Sequence, residues 1–340
     1  MKLTLERTTL TLHHQFTISR GSRSTVDVVL CSLEHDGIVG YGEASPSSRY
    51  GESVESVEAF FAGLDFSRFE SPLDLESIAA FINGRAAGNT AAKAGIDIAL
   101  HDWIGKRMNL PLYQYWGLDK RKAPLTSFTI GIDAPEMIRR KTEEAGAYPI
   151  LKVKLGGERD HEIIRTIRSV TQKPIRVDAN EGWKKKEEAL EKILWLEQEG
   201  VEFVEQPMPA SDLAGTSWLR ERVHLPLIAD ENCIRLTDVP HLQGAFDGIN
   251  IKLMKCTGLR EAARMVATAR ACGLKIMLGC MIESSVGISA AAQLSPLVDY
   301  CDLDGNLLIT NDPFDGVRGV GGRLDLPDRP GIGVIRRSPW

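Results

Sequence analysis

What this 340-residue chain lacks excludes several classes of protein. No window approaches the roughly 18 to 20 apolar residues that a membrane-spanning helix needs. The six cysteines (Cys31, Cys233, Cys256, Cys272, Cys280 and Cys301) are scattered singly, with no CxxC pair. They read as reduced structural thiols in a cytoplasm. There is no excess of positive charge: 41 Lys and Arg stand against 46 Asp and Glu, a net charge of −5. Neither a nucleic-acid footprint nor a polybasic membrane surface fits that balance. The first twenty residues alternate polar and apolar without a continuous apolar core, so they read as a strand and not as a signal peptide. What is present is ordinary for a globular protein, 43% hydrophobic and 26% charged, with ample length for a large buried core.

Two regimes divide the chain. Up to about residue 115, alternating segments at Thr4–Leu12, Thr25–Glu34 and Ile38–Glu43 are followed by helical patterns at Val54–Leu64, Leu73–Asn83 and Ala91–Lys106. Strands followed by helices predict an α+β unit over residues 1–115. From about Leu125 strands and helices alternate strictly. Strands are expected at Ser127–Ile132, Ile150–Leu155, Ile175–Ala179, Phe203–Glu205, Leu227–Ala229, Gly248–Leu253, Lys275–Gly279 and Tyr300–Leu303. Eight such strands predict an α/β fold, a modified (β/α)7β TIM-type barrel over residues 120–318. An open doubly wound sheet would more often carry a Gly-rich turn after its first strand, and GIDAPE stands there instead. The Gly-, Pro- and Arg-rich tail is expected to wrap back as irregular structure with one short strand, residues 319–340 completing the first unit.

Acids and lysines close the apolar runs of the barrel region. Asp178, Glu205 and Asp230 fall 27 and 25 residues apart at the ends of three consecutive strands. Barrel closure brings them within a few ångströms of one another, and three packed anions repel unless a cation binds among them. Oxygen ligands without His or Cys select Mg²⁺, with Mn²⁺ as a substitute, over zinc. Lys152 and Lys154 lie one residue apart on a strand and so share a face, the lumen. Each lowers the other's proton affinity, and a divalent metal does so further, which suits a base near neutral pH. Lys252, on the sixth strand, faces them across the barrel, and two lysines opposed over a metal address both faces of one carbon.

These residues resemble the enolase superfamily, in its muconate-lactonizing-enzyme subgroup. KVK, DAN, EQP, DEN and NIKLMK match its pattern in order, while FTISRGSRS and GYGEASPSSRYGES resemble the two mobile loops of its N-terminal capping domain. The likeness covers nearly the whole chain. It implies abstraction of a proton α to a Mg²⁺-bound carboxylate, with Lys152 and the metal stabilising the enediolate and with Lys154 and Lys252 as base and acid on opposite faces. It also implies that Asp178, Glu205 and Asp230 are the metal ligands.

Asp302-Leu303-Asp304, at the end of the eighth strand, resembles the mark of the dipeptide epimerases, in which two aspartates hold the substrate's free ammonium. The RGSRS loop resembles that of the Ala-Glu epimerases of murein peptides, and its Arg20 and Arg23 suit an acidic side chain. Both arginines also fit solvated loop charges. Glu283 either positions the substrate backbone or structures its loop. Asn180, Glu231 and Lys255 read as groups that orient the metal ligands. The expectation is a cytoplasmic, Mg²⁺-dependent dipeptide epimerase with L-Ala-D/L-Glu as its leading substrate. An N-acylamino acid racemase or o-succinylbenzoate synthase is the runner-up on the same fold. A non-catalytic peptide-binding barrel is the alternative of another class, disfavoured by two opposed lysines. Enolase-type barrels often form homo-oligomers, and no exposed stripe in this sequence demonstrates it.

Overall fold

The protein, in a computed structural model, is described over residues 1–337; the last three residues of the expected tail, 338–340, lie outside the described residues. Three antiparallel strands open the chain: β1 (Lys2–Ile18), β2 (Gly21–His35) and β3 (Ile38–Ala44). β1 and β2 run longer than their alternating cores because the polar residues at their ends keep pairing up to the hairpin tip at Ser19–Arg20. The helix Thr90–Arg107, buried along nearly its whole length, packs on β3. Glycine permits that approach, since a Cβ on Gly42 would come 2.0 Å from Gly95 O.

Eight parallel strands follow: β4 (Phe128–Ile130), β5 (Leu151–Lys154), β6 (Ile175–Asp178), β7 (Val201–Glu205), β8 (Leu227–Ala229), β9 (Gly248–Ile251), β10 (Lys275–Gly279) and β11 (Tyr300–Asp302). They pair in chain order, and a parallel bridge between Thr126 and Cys301 closes β4 on β11. α-Helices separate most of the strands, but a 3-10 segment at Leu236–Leu242, with Pro240 inside it, follows β8. In an α-helix the Pro240 ring would clash with the carbonyl four residues back, which disfavours that form there. Low in the lumen, Phe203, Ile228 and Met277 pack with Tyr300, and Arg176 lies over the Phe203 and Tyr300 rings.

The tail differs from expectation. Instead of one short strand it forms two antiparallel pairs, β12 (Phe314–Asp315) with β15 (Ile335–Arg336) and β13 (Arg318–Val320) with β14 (Arg323–Asp325). The second pair turns on Gly321 and Gly322, both with positive φ, a hairpin signal hidden in a segment that reads as irregular. The N-terminal sheet and the barrel also touch directly: Leu12 bridges Ile309, and Asn311 accepts from Thr11 N and donates to Thr9 O. Among the described residues no helix is long and apolar enough to cross a membrane.

Candidate active site

Parallel register builds the site. Lys154 pairs with Asp178 and Asp178 with Glu205, so one level of the lumen carries a lysine and two acids side by side. Asp230 follows the last residue of β8, and ligand oxygens of Asp178, Glu205 and Asp230 all lie within 4.8 Å of one another. All three carboxylates are buried.

Four lysines enclose them. Lys152 Nζ lies 2.7 Å from Glu205, 2.5 Å from Asp302 and 3.4 Å from Asp178. Lys154 meets the shared Asp178 Oδ2 at 2.6 Å. On the opposite side Lys252 holds Asp230 Oδ2 at 2.7 Å. Beneath it Lys255 binds Asp230 Oδ1 at 2.6 Å, Asp230 O at 2.7 Å and Asn250 O at 3.0 Å.

This neighbourhood reverses the sign expected for Lys152 and holds Lys252 up as well. Burial works to lower Lys152, but Asp302, Glu205 and Asp178 outweigh it and hold the ammonium well above its ordinary range. Burial likewise lowers Lys252, and Asp230 and Glu205 more than restore it. Counting lysine neighbours along a strand predicts mutual repulsion, whereas the nearest groups across strands are carboxylates. Among the acids, Asp178 is held down to about 2 by Lys154 and Lys152 in spite of burial. Glu205 is raised, by burial first and Asp178 second.

The trio suits a hard divalent cation. Glu205 Oε2 is buried and makes no hydrogen bond, its close neighbour being the Lys152 ammonium; Asn180 Oδ1 and Glu231 Oε2, beside the same cluster, are buried without hydrogen-bond partners. Oxygen donors of this kind, without nitrogen or sulfur, fit Mg²⁺. The strand ends also carry backbone strain. Asn180, Glu181 and Gln206 have φ of 44°, 63° and 38°, a region costly for residues with a Cβ.

Asp302 and Asp304 share a cavity of about 400 Å³ with Lys154, Lys252 and Arg23. Asp302 accepts from Ser127 Oγ at 2.7 Å as well as from Lys152, and the lysines keep it below the usual carboxylate range despite burial. Asp304 accepts from Thr129 N at 2.6 Å and is pushed up to about 7, by burial first and by Asp302 second.

The two arginines of the hairpin part company. Arg20 donates to Asn180 O at 2.9 Å and to Glu231 Oε1 at 2.8 Å, and lies 3.3 Å from Glu181. Arg23 lines the cavity, and its side chain makes no hydrogen bond or ion pair among the described residues. Glu231 therefore holds Arg20 rather than a metal-binding carboxylate, and is itself raised to about 7 by burial and by Asp230. Asn180 supports Asp178 through its backbone N–H at 2.9 Å. Glu283 turns back on its own loop, accepting from Met281 N at 2.7 Å. It is raised to about 8 by burial and by Glu43.

Sequence reasoning missed Asn250 and Arg49. Asn250 donates to Glu205 Oε1 at 2.7 Å and stands two residues before Lys252, a spacing that already assigns both to one strand face. Arg49 makes a bidentate pair with Glu181 at 2.8 and 2.9 Å and so ties the second loop of the N-terminal unit to the barrel rim. No local pattern announces that contact, 132 residues apart.

Comparison with known proteins agrees with this geometry. Residues 2–117 match the mandelate racemase / muconate lactonizing enzyme N-terminal domain, and residues 133–336 match the enolase C-terminal domain-like family. The chain is 52% identical over 337 residues to the L-Ala-D/L-Glu epimerase of Bacteroides thetaiotaomicron, covering 99% of this chain and 88% of that one. Among solved structures it resembles a substrate-liganded L-Ala-D/L-Glu epimerase from Bacillus subtilis, with TM-score 0.93 and 31% identity, over 100% of this chain and 99% of that one. It also resembles a dipeptide epimerase from Enterococcus faecalis complexed with Mg and L-Leu-L-Tyr, with TM-score 0.91 and 32% identity, over 98% of each chain. A chain whose barrel carries these groups at the ends of its strands, and which the two domain families match along nearly its whole length, belongs to the enolase superfamily, in the mandelate racemase / muconate lactonizing enzyme family.

Proposed function

We propose that this chain is a Mg²⁺-dependent dipeptide epimerase that inverts the α-carbon of the C-terminal residue, with L-Ala-D/L-Glu as its leading substrate. The observation that carries the reading is a single cavity with Lys154 and Lys252 on opposite sides of a carboxylate trio and with Asp302 and Asp304 beside them. Racemase chemistry alone has no use for the aspartate pair, and simple binding has no use for two opposed bases.

Asp178, Glu205 and Asp230 would hold the metal, which when bound supplies positive charge where the substrate carboxylate gathers negative charge in the enediolate. Lys152 adds a fixed ammonium at the same end of the site, already aimed at Glu205 and Asp302. Either Lys154 or Lys252 takes the α-proton, and the other returns one from the opposite face. The lysine that serves as base must first lose its own proton, which its pairing with Asp178 or Asp230 opposes, while the lysine that serves as acid keeps its proton until it delivers it. Lys255 and Asn250 keep Asp230 and Glu205 in place. Asp302 and Asp304 hold the N-terminal ammonium. Arg23, uncommitted at the cavity mouth, meets the substrate's acidic side chain, while Arg20 and Arg49 fasten the capping loops to the barrel. Residues 1–115, completed by the tail from 319, serve as the capping unit over a barrel of residues 120–318.

The test is α-proton exchange in D₂O, read by mass spectrometry on L-Ala-L-Xaa dipeptides with Mg²⁺. Exchange confined to Xaa, strongest for Glu and abolished by EDTA, is expected. Absence of exchange on every dipeptide would overturn the reading.

A further inference from the structure

We propose that a second cavity, beside the lysine–carboxylate pocket, receives the side chain of the substrate's N-terminal residue, so that this residue is an aliphatic or aromatic amino acid and not alanine alone. The inference rests on the dipeptide epimerase reading and specifies its substrate class.

The annex measures about 400 Å³, within the size range of small-molecule sites. It lies beneath the irregular part of the first hairpin, where the β1–β2 register shifts between Thr11 and Phe16. Phe16, Thr129 and Leu308 line both cavities. That common wall is at the ammonium end: Thr129 N donates to Asp304 Oδ2 at 2.6 Å, and Thr129 stands in register with Lys152, whose ammonium lies 2.5 Å from Asp302. An ammonium held by Asp302 and Asp304 has its α-carbon one bond away. The side chain on that carbon therefore starts beside the wall that the annex shares.

The lining chooses the chemistry. Leu12 is buried, Leu307 and Leu308 are half-buried, and Phe128 stacks on Tyr148 with ring centroids 4.6 Å apart. The charged groups at the mouth are committed to one another. His14 and Arg140 both meet Glu144, at 2.7 and 2.8 Å, and Lys141 meets Asp133 at 2.8 Å. An incoming charged side chain would have to displace one of these pairs, whereas an apolar one has only water to displace.

The experiment compares kcat/KM for L-Ala-L-Glu, L-Leu-L-Glu and L-Phe-L-Glu with the wild-type chain and with Leu307→Trp, which fills the annex from a residue that does not line the main pocket. His14→Trp, at the half-buried mouth, repeats the test should Leu307→Trp not fold. The wild type is expected to use L-Leu-L-Glu within about tenfold of L-Ala-L-Glu, or better, because each methylene that an apolar pocket receives is worth about tenfold or more. The tryptophan variants should lose at least about tenfold on the Leu and Phe substrates and less than about twofold on the Ala substrate. A wild type active on L-Ala-L-Glu but more than about a hundredfold poorer on both larger substrates would overturn the annex and leave the epimerase reading standing. So would tryptophan variants that affect all three substrates equally. No turnover of any of the three would overturn both.

Discussion

Asp304 makes a pH-dependent prediction that separates its role from that of Asp302. Lys152 keeps Asp302 ionised, whereas burial and Asp302 itself push Asp304 up to about 7. Below that value Asp304 is protonated, and the site offers an ammonium one negative charge; above it the site offers two. In the free enzyme about nine-tenths of Asp304 is protonated near pH 6, and about nine-tenths is ionised near pH 8. kcat/KM for a free dipeptide should therefore fall roughly tenfold per unit below pH 7. A bound ammonium holds Asp304 ionised, so kcat should show the limb weakly or not at all. Asp304→Asn keeps an oxygen for Thr129 N–H but removes the titration. Its profile should lose the limb centred near 7. Near pH 8 its kcat/KM should lie about ten- to a hundredfold below wild type, the worth of one charge-assisted hydrogen bond of about 1.5–3 kcal/mol. The assay is initial-rate epimerisation of L-Ala-L-Glu from pH 5.5 to 9 with saturating Mg²⁺. An acid limb near pH 7 that survives unchanged in Asp304→Asn would assign the titration to another group.

Two further predictions concern the groups around the site. Lys255→Met removes a fully buried ammonium that makes three hydrogen bonds. Breaking a buried pair costs about 3–5 kcal/mol, and because Lys252 still neutralises Asp230 the lower end is expected, read as a fall in Tm by thermal denaturation without metal. A Tm within about 1 °C of wild type would show that Lys255 contributes little. Arg23→Ala should lower kcat/KM for L-Ala-L-Glu about ten- to a hundredfold and spare L-Ala-L-Leu, while Arg20→Ala, which detaches a loop, should raise KM for both alike. Equal behaviour of the two variants in steady-state kinetics would contradict the division of labour.

Most of the barrel is visible in the sequence because a parallel strand buried on both faces reads as an apolar run, and a functional residue at its end interrupts that run with charge. PIRVDAN and VEFVEQP announce both the strands and Asp178 and Glu205 for this reason. Asn250 was equally readable, since the two-residue spacing that puts Lys152 and Lys154 on one face also pairs Asn250 with Lys252. The fate of Arg20 was not. Whether a loop arginine meets substrate or clasps Glu231, 211 residues away, depends on how the hairpin lies against the barrel, which no local pattern encodes. The lysines fail differently. Repulsion between Lys152 and Lys154 is legible along one strand, but the acids that outweigh it at Lys152 come from three other strands. The tail hairpin escaped because Gly321-Gly322 sits among many other glycines, with only three residues of strand on either side.

Stereospecific exchange separates Lys154 and Lys252 if the two serve opposite faces of one carbon. Lys154→Ala leaves Asp178 paired with Lys152, and Lys252→Ala leaves Asp230 paired with Lys255, so neither substitution strands a buried carboxylate. Each variant is incubated in D₂O with L-Ala-L-Glu and, separately, with L-Ala-D-Glu, and α-deuterium is measured by mass spectrometry. Both variants should lose epimerisation, and each should wash deuterium into one diastereomer only, with the two variants choosing opposite ones. Exchange of both diastereomers by a single-lysine variant, or undiminished epimerisation in either, would contradict the two-base account.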